Sequence, residues 1–235
     1  MTDNTDAGTP IRVALVDDQA LFRAGIRMVI QSQPDMEFVG EAGDGREALR
    51  LVVETAPDII LMDVRMPVMD GITATKEILA RVDASGAHPT RIIVLTTFDL
   101  DADAAEALRM GASGFLLKDT RPDLLLAAIR TAHSGSAVIA PGQTQALFAG
   151  LAAPEPERSV PASYETLTQR ERDVFQLAAK GMSNQEIART EYVSETTVKT
   201  HISRILAKLA LRDRVQLVVF AYETGLLSPG GEDGA

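Results

Sequence analysis

The stretch Ile59-Ile60-Leu61-Met62-Asp63-Val64-Arg65-Met66-Pro67-Val68-Met69-Asp70-Gly71 decides the fold. A short apolar run leads directly into a carboxylate, and Pro67 and Gly71 then mark a turn. Such a run reads as a buried parallel strand that delivers Asp63 to the carboxyl edge of a sheet, where open α/β sheets put their ligands. Three more stretches repeat the pattern. Ile11-Arg12-Val13-Ala14-Leu15-Val16 ends in Asp17-Asp18, Ile92-Ile93-Val94-Leu95 ends in Thr96-Thr97, and Gly114-Phe115-Leu116-Leu117 ends in Lys118. Laid parallel, these strands gather three carboxylates, a hydroxyl and an ammonium at one edge. Clustered carboxylates repel one another, so the site requires a divalent cation, and hard oxygen ligands left partly open to water favour Mg²⁺.

Working outward, apolar strands alternate with amphipathic helices. Strands are predicted over 11–16, 36–42, 58–62, 91–96 and 114–117, and helices over 20–32, 45–54, 71–81, 102–110 and 121–133. This α/β pattern implies a doubly wound parallel sheet over 11–133. Pro34, Gly43, Pro57 and Gly86 separate elements, and Thr120-Arg121-Pro122-Asp123 offers an N-cap, a first-turn proline and an acidic residue facing the helix dipole. Residues 1–10 and 229–235 are polar and expected to be disordered. Between 134 and 162 the periodicity fades. Pro154-Glu155-Pro156-Glu157-Arg158-Ser159-Val160-Pro161 reads as an extended linker, with a short helix expected near 143–151.

A second, all-α four-helix domain is expected over 163–228. Thr168-Gln169-Arg170-Glu171 and Ser183-Asn184-Gln185-Glu186 fit the capping box, Ser194-Glu195 opens a further helix, and Gly181 and Gly225 stand where helices stop. Helices are placed over 169–180, 184–191, 195–210 and 212–224. The second and third, joined by a short turn, form a helix-turn-helix candidate. On the third, Val198, Ile202, Ile205 and Leu209 fall within about 60° of one another and form the buried stripe. Thr196, Thr200, Ser203 and Ala207 lie opposite, flanked by Lys199 and Arg204. Small hydroxyl residues bracketed by cations suit a helix that enters a major groove, its centre toward base edges and its flanks toward phosphates.

The net charge of −10 argues against nucleic acid for the chain as a whole. Residues 163–228, with nine basic and eight acidic groups, are the only segment that is not negative, so phosphate-backbone contact is expected there. There is no cysteine, which excludes disulfides, thiolate metal sites and a cysteine nucleophile. No apolar stretch approaches the roughly 18 residues of a membrane helix, and the acidic start is unlike a signal peptide. A cytoplasmic protein without membrane contact is expected. His88, His133 and His201 lack metal-ligand spacing, and Met62, Met66 and Met69 look like packing.

On these residues the first domain resembles the receiver domain of a bacterial two-component response regulator. The resemblance implies the flavodoxin-like strand order 2-1-3-4-5 and a phosphoacceptor role for Asp63 toward the phosphohistidine of a sensor histidine kinase. Asp18, Asp63 and the backbone carbonyl of Arg65 would hold Mg²⁺ directly, with Asp17 acting through water. Thr96 and Lys118 would meet phosphoryl oxygens, and Phe115 is either core or the aromatic of the switch. Residues 167–227 resemble the LuxR-type DNA-binding domain, through Leu167-Thr168-Gln169-Arg170-Glu171, Gly181 to Ala188, and Ser194 to His201. Together they resemble the NarL/FixJ family, which implies contact of Lys199, Thr200 and Ser203 with double-stranded DNA and of Arg214 with its backbone. Val215, Val218, Val219 and Tyr222 would be the dimer contact of a homodimer formed on phosphorylation.

Two departures stand out: Asp119 follows Lys118 where many receivers have proline, and Arg65 and Phe98 occupy positions that tune phosphoryl lifetime in the family. The chain is expected to be a phosphoacceptor that catalyses only its own modification, not a multiple-turnover enzyme. A DNA-binding regulator with an atypical receiver, controlled by a ligand or partner, is the alternative. A free Mg²⁺-dependent phosphatase or phosphotransferase is disfavoured because no substrate-pocket motif accompanies Asp63.

Overall fold

Side-chain alternation along the strands divides the core of the first domain in two. The computed structural model describes residues 9–85, 90–96, 102–135 and 161–227, with the backbone alone at 83–85 and 102–105. The elements are β1 (Ile11–Val16), α1 (Ala20–Gln31), β2 (Met36–Ala42), α2 (Gly45–Thr55), β3 (Ile59–Asp63), α3 (Gly71–Ser85), β4 (Arg91–Thr96), α4 (Ala102–Arg109), β5 (Gly114–Leu117) and α5 (Pro122–His133). The sheet is parallel, in the expected order β2-β1-β3-β4-β5. Ala14, Val16, Ile60, Met62, Ile92 and Val94 face one layer, with α2, α3 and α4. Val13, Leu15, Ile59, Leu61, Ile93 and Leu95 face the other, with α1 and α5. Central strands buried on both faces explain why their sequences are apolar throughout.

Boundaries depart from expectation in a few places. β3 includes Asp63, because Val64 N–H still donates to Leu95 O and carries the ladder past it. α3 continues to Ser85, since no helix breaker precedes Gly86. Arg121, not Thr120, is the N-cap of α5, and its side chain makes no cap bond. The disorder expected for residues 1–8, the helix near 143–151, the linker up to Val160, the tail from 229, and the roles of His88, Thr97 and Phe98 lie outside the described residues.

The second domain comprises α6 (Ala162–Glu165), α7 (Gln169–Ala179), α8 (Asn184–Thr190), α9 (Glu195–Leu209) and α10 (Arg214–Glu223). The single-turn α6 was not foreseen, since four residues carry no readable period. Both capping boxes form as expected. Val198, Ile202, Ile205 and Leu209 are buried with Val174, Phe175 and Leu217, and the Phe175 ring meets Tyr164 and Phe220 edge-on at 5.2 and 6.1 Å.

Helix α10 is apolar on two faces. Leu217 and Ala221 enter the core of their own domain. Val215, Val218, Val219 and Tyr222, which share the other face at helical spacing, pack into the first domain's cluster with Leu79, Leu108 and Ala112. The helix begins at Arg214, because the Asp213 carboxylate is its cap and accepts from the N–H groups of Val215 and Gln216.

The N-terminus of α7 is tied to the C-terminal turn of α9. Glu171 accepts from Lys208 Nζ at 2.6 Å and from the N–H and hydroxyl of Thr168. The Lys208 bond is the main cause that lowers the Glu171 pKa to about 2, with the Thr168 donors adding to it. A depressed carboxylate pKa contributes stability that is present above the unfolded value near 4.5 and is lost as pH falls through about 2. Glu171→Gln is therefore expected to destabilise the chain by about 1–2 kcal/mol at pH 7, as a lost cap does. Denaturant unfolding should show the gap between variant and wild type closing as pH drops from about 4.5 toward 2.

Candidate functional site

The carboxyl edge of the sheet assembles the charges that the sequence predicts. Asp17 and Asp63 are buried and Asp18 is exposed. One carboxylate oxygen from each lies within 4.8 Å of the other two. Lys118, whose side chain is 8% exposed, leans back from the end of β5. Its Nζ stands 2.7 Å from Asp17 Oδ2 and 2.9 Å from Asp63 Oδ2, and 5.2 Å from the centre of the Phe22 ring. Thr96 is buried at the end of β4, and its carbonyl accepts the Lys118 N–H at 2.8 Å. The Lys118–Asp119 bond is trans.

Burial is the largest influence on Asp63 and raises its pKa, aided by the charge of Asp17; Lys118 and the Arg65 N–H oppose that rise. Burial also works against the Lys118 charge, yet its bonds to Asp17 and Asp63 outweigh this, and its pKa is raised. The Arg65 backbone N–H thus points at the phosphoacceptor candidate. The Arg65 side chain lines an open cleft of about 630 Å³ with Val64, Met66, Asp70, Ile72, Thr73 and Glu106.

The donor set fits Mg²⁺. Besides the Lys118 ammonium, Asp17 Oδ2 has no directed hydrogen-bond donor although it is buried, and three carboxylates at one edge exceed the charge that one lysine balances. Sequence reasoning missed the residues that orient this group. Arg23 donates to Asp17 O at 2.6 Å and pairs with Glu41, and the Gln19 N–H donates to Asp17 Oδ1 at 2.8 Å. Neither had a local signal beyond its closeness to Asp17.

Phe115 is 1% exposed and lies in the cluster with Leu108 and Ala112, so the core reading describes its position in this structure. In the second domain Thr196, Lys199, Thr200, Ser203, Arg204 and Ala207 are all exposed along one side of α9. Arg214, expected at the DNA backbone, is 6% exposed and donates to Asn184 Oδ1 and to Met182 O, so in this structure its guanidinium braces the turn before α8. Burial lowers its pKa to about 10, partly offset by Glu186. Tyr192 was not singled out. It is 95% exposed with φ 54 in the turn before α9, where Arg170 holds Glu191 through both side chain and carbonyl.

A doubly wound sheet with this acidic edge, joined to a helix-turn-helix domain, defines a DNA-binding response regulator. The comparisons agree. Residues 13–130 match the response regulator receiver domain, and residues 165–221 match the bacterial regulatory proteins of the luxR family. The uncharacterized transcriptional regulatory protein YxjL of Bacillus subtilis (strain 168) is 44% identical over 217 residues, 92% of this chain and 97% of that one. The nitrate/nitrite response regulator protein NarL of Escherichia coli (strain K12) is 37% identical over 216 residues, 91% and 96% of the two chains. A LuxR-family response regulator structure from Aurantimonas sp. SI85-9A1 is 36% identical, covers 59% of this chain and 96% of that chain, and has a TM-score of 0.54. This chain belongs to the NarL/FixJ family of two-component response regulators and is a regulator of transcription with a LuxR-type DNA-binding domain. Among the described residues no helix is long and apolar enough to cross a membrane.

The loop after Asp63 holds two opposed features. A Cβ on Gly71 would fall 1.9 Å from Asp63 O, so only glycine lets α3 start against the site. Val68, by contrast, is a β-branched residue at φ 66, a left-handed conformation that costs about 1–2 kcal/mol. Gly71→Ala should lower unfolding free energy by about 3 kcal/mol through overpacking against backbone. Val68→Gly should raise it by about 1 kcal/mol, since glycine removes that strain at some entropic cost. Chemical denaturation of the two variants reads both signs.

Proposed function

We propose that Asp63 accepts a phosphoryl group from the phosphohistidine of a sensor histidine kinase, and that this switches dimerisation and DNA binding. The observation that carries the reading is the pair of buried acids, Asp17 and Asp63, bridged by Lys118 and completed by Asp18 at one sheet edge. An Asp63 oxygen attacks phosphorus; an O–P bond forms, the N–P bond breaks, and the imidazole leaves with its electron pair. Such a transfer needs placed positive charge more than covalent help. Asp17, Asp18, Asp63 and the Arg65 carbonyl are the residues that would hold Mg²⁺, which supplies part of that charge. Lys118 stands 2.9 Å from the attacking carboxylate and supplies the rest, and the Thr96 hydroxyl is the group to meet a phosphoryl oxygen.

Phosphorylation alters the balance at the ends of β4 and β5, and Phe115, buried against α4, carries that change toward the domain contact. Lys199, Thr200, Ser203 and Arg204, exposed on α9, face double-stranded DNA. Val215, Val218, Val219 and Tyr222 form the contact between two copies in the active homodimer.

With Mg²⁺ and beryllofluoride, the sedimentation mass of wild type should shift from monomer to dimer, while that of Asp63→Ala stays fixed. An equal shift in Asp63→Ala would remove Asp63 from the mechanism. Lys199→Ala should weaken duplex binding and reduce the slope of log K against log salt by about 1, leaving Mg²⁺ affinity at the receiver unchanged.

A further inference from the structure

We propose that Arg23 is a positioning residue for the metal site: from α1 it clamps the peptide between Asp17 and Asp18, and so sets how firmly the acidic edge holds Mg²⁺. This rests on the Mg²⁺ reading above and adds what prepares the carboxylates before the ion arrives.

The location of Arg23 is electrostatically unfavourable on two counts. It is near the start of α1, at the positive end of the helix dipole, where acidic side chains are favoured and the first turn carries none. A cation beside a cation site also weakens that site by charge alone. Its bonds offset both. One guanidinium nitrogen donates to Asp17 O at 2.6 Å, and Nε pairs with Glu41 at 3.4 Å. Glu41 stands in register with Leu15, which faces the α1 layer, so its carboxylate rises on the side from which Arg23 reaches. Arg27, one turn further along α1, meets the same carboxylate at 3.4 Å.

A carbonyl and the N–H that follows it share one rigid plane, so holding Asp17 O also directs the bond that leads to Asp18. Asp17 is fixed on its other sides. Its N–H donates to Ala42 O at 3.1 Å, its Oδ1 accepts from the Gln19 N–H at 2.8 Å, and its Oδ2 meets Lys118 at 2.7 Å. Asp18 is exposed and takes its direction from the backbone. The Arg23 bond therefore carries order from the buried acid to the exposed one. Without it, two carboxylates that repel each other are free to turn apart; with it, they meet the ion as a preformed pair.

The test uses the full chain and Mg²⁺ alone, read by calorimetric titration, and amide exchange at Gln19 without metal. Arg23→Met keeps the apolar stem and removes the guanidinium. It should weaken Mg²⁺ binding by about tenfold or more, as loss of a group behind a ligand does. The Gln19 amide should exchange about tenfold faster, while amides of β4 and β5 keep their wild-type rates. Arg27→Met loses the same charge and a bond to the same carboxylate but leaves Asp17 alone, so its Mg²⁺ affinity should stay within about twofold of wild type or rise. The sign separates the two accounts, because charge alone makes both variants bind Mg²⁺ more tightly. Arg23→Lys keeps the charge without the planar fork that spans Asp17 O and Glu41, and should bind about threefold more weakly than wild type. That variant decides the matter where Arg23→Met does not fold. Mg²⁺ affinity at or above wild type in Arg23→Met, or equal to wild type in Arg23→Lys where it stands alone, overturns the positioning role. A wild type that takes up no Mg²⁺ overturns the metal reading itself, a result distinct from a wild type and an Arg23→Met variant that bind alike.

Discussion

Three carboxylates cannot share the end of a parallel sheet without a cation, and the fold supplies one internally. Lys118 reaches Asp17 at 2.7 Å and Asp63 at 2.9 Å, so the last residue of one motif ties β5 to the ends of β1 and β3. Burial makes this bond strong and also makes it conditional. Between two buried carboxylates an ammonium holds firmly, but any new negative charge on Asp63 redistributes it. The resting arrangement is thus built from the groups that a phosphoryl group would reorganise.

Most of this was legible because it is local. A strand buried on both faces must be apolar along its whole length, so the residue that breaks the run, Asp63 or Lys118, marks the sheet edge without any knowledge of the partner strands. Capping boxes at Thr168 and Ser183 are similarly self-contained, with donor and acceptor three residues apart. Arg214 shows the limit. The family resemblance implies a DNA-backbone contact for it, and no local signal shows that Met182 O and Asn184 Oδ1, about 30 residues away, hold its guanidinium in this structure, an arrangement set by tertiary packing. Arg23 and Ser113 were invisible for the same reason, and Phe115 reads as core or switch until its surroundings are known.

The last helix conveys a different lesson. A helix apolar on one face is explained by its own domain; α10 is apolar on two, and Leu217 and Ala221 account for only one of them. The second face, with Val215, Val218 and Val219, has to be covered in every stable state of the chain, since exposed together these side chains form an adhesive stripe. The sequence therefore announces an interface on α10 without saying with what, and the fold answers with the receiver.

Covering that stripe with the receiver places the domain contact beside the part of the sheet that phosphorylation would disturb. Strand β5 is four residues long: Ser113, just before it, donates to Asp213 of the second domain, and Lys118, just after it, holds Asp17 and Asp63. Phe115 in the middle packs on α4, whose last turn offers Leu108 O to Gln216. A parallel strand hydrogen-bonded into a sheet does not bend easily over so short a span, so a shift at Lys118 that moves Phe115 is felt by both anchors of α10. Spatial connection of this kind is a route for coupling between the acidic edge of the sheet and the contact that covers the valines.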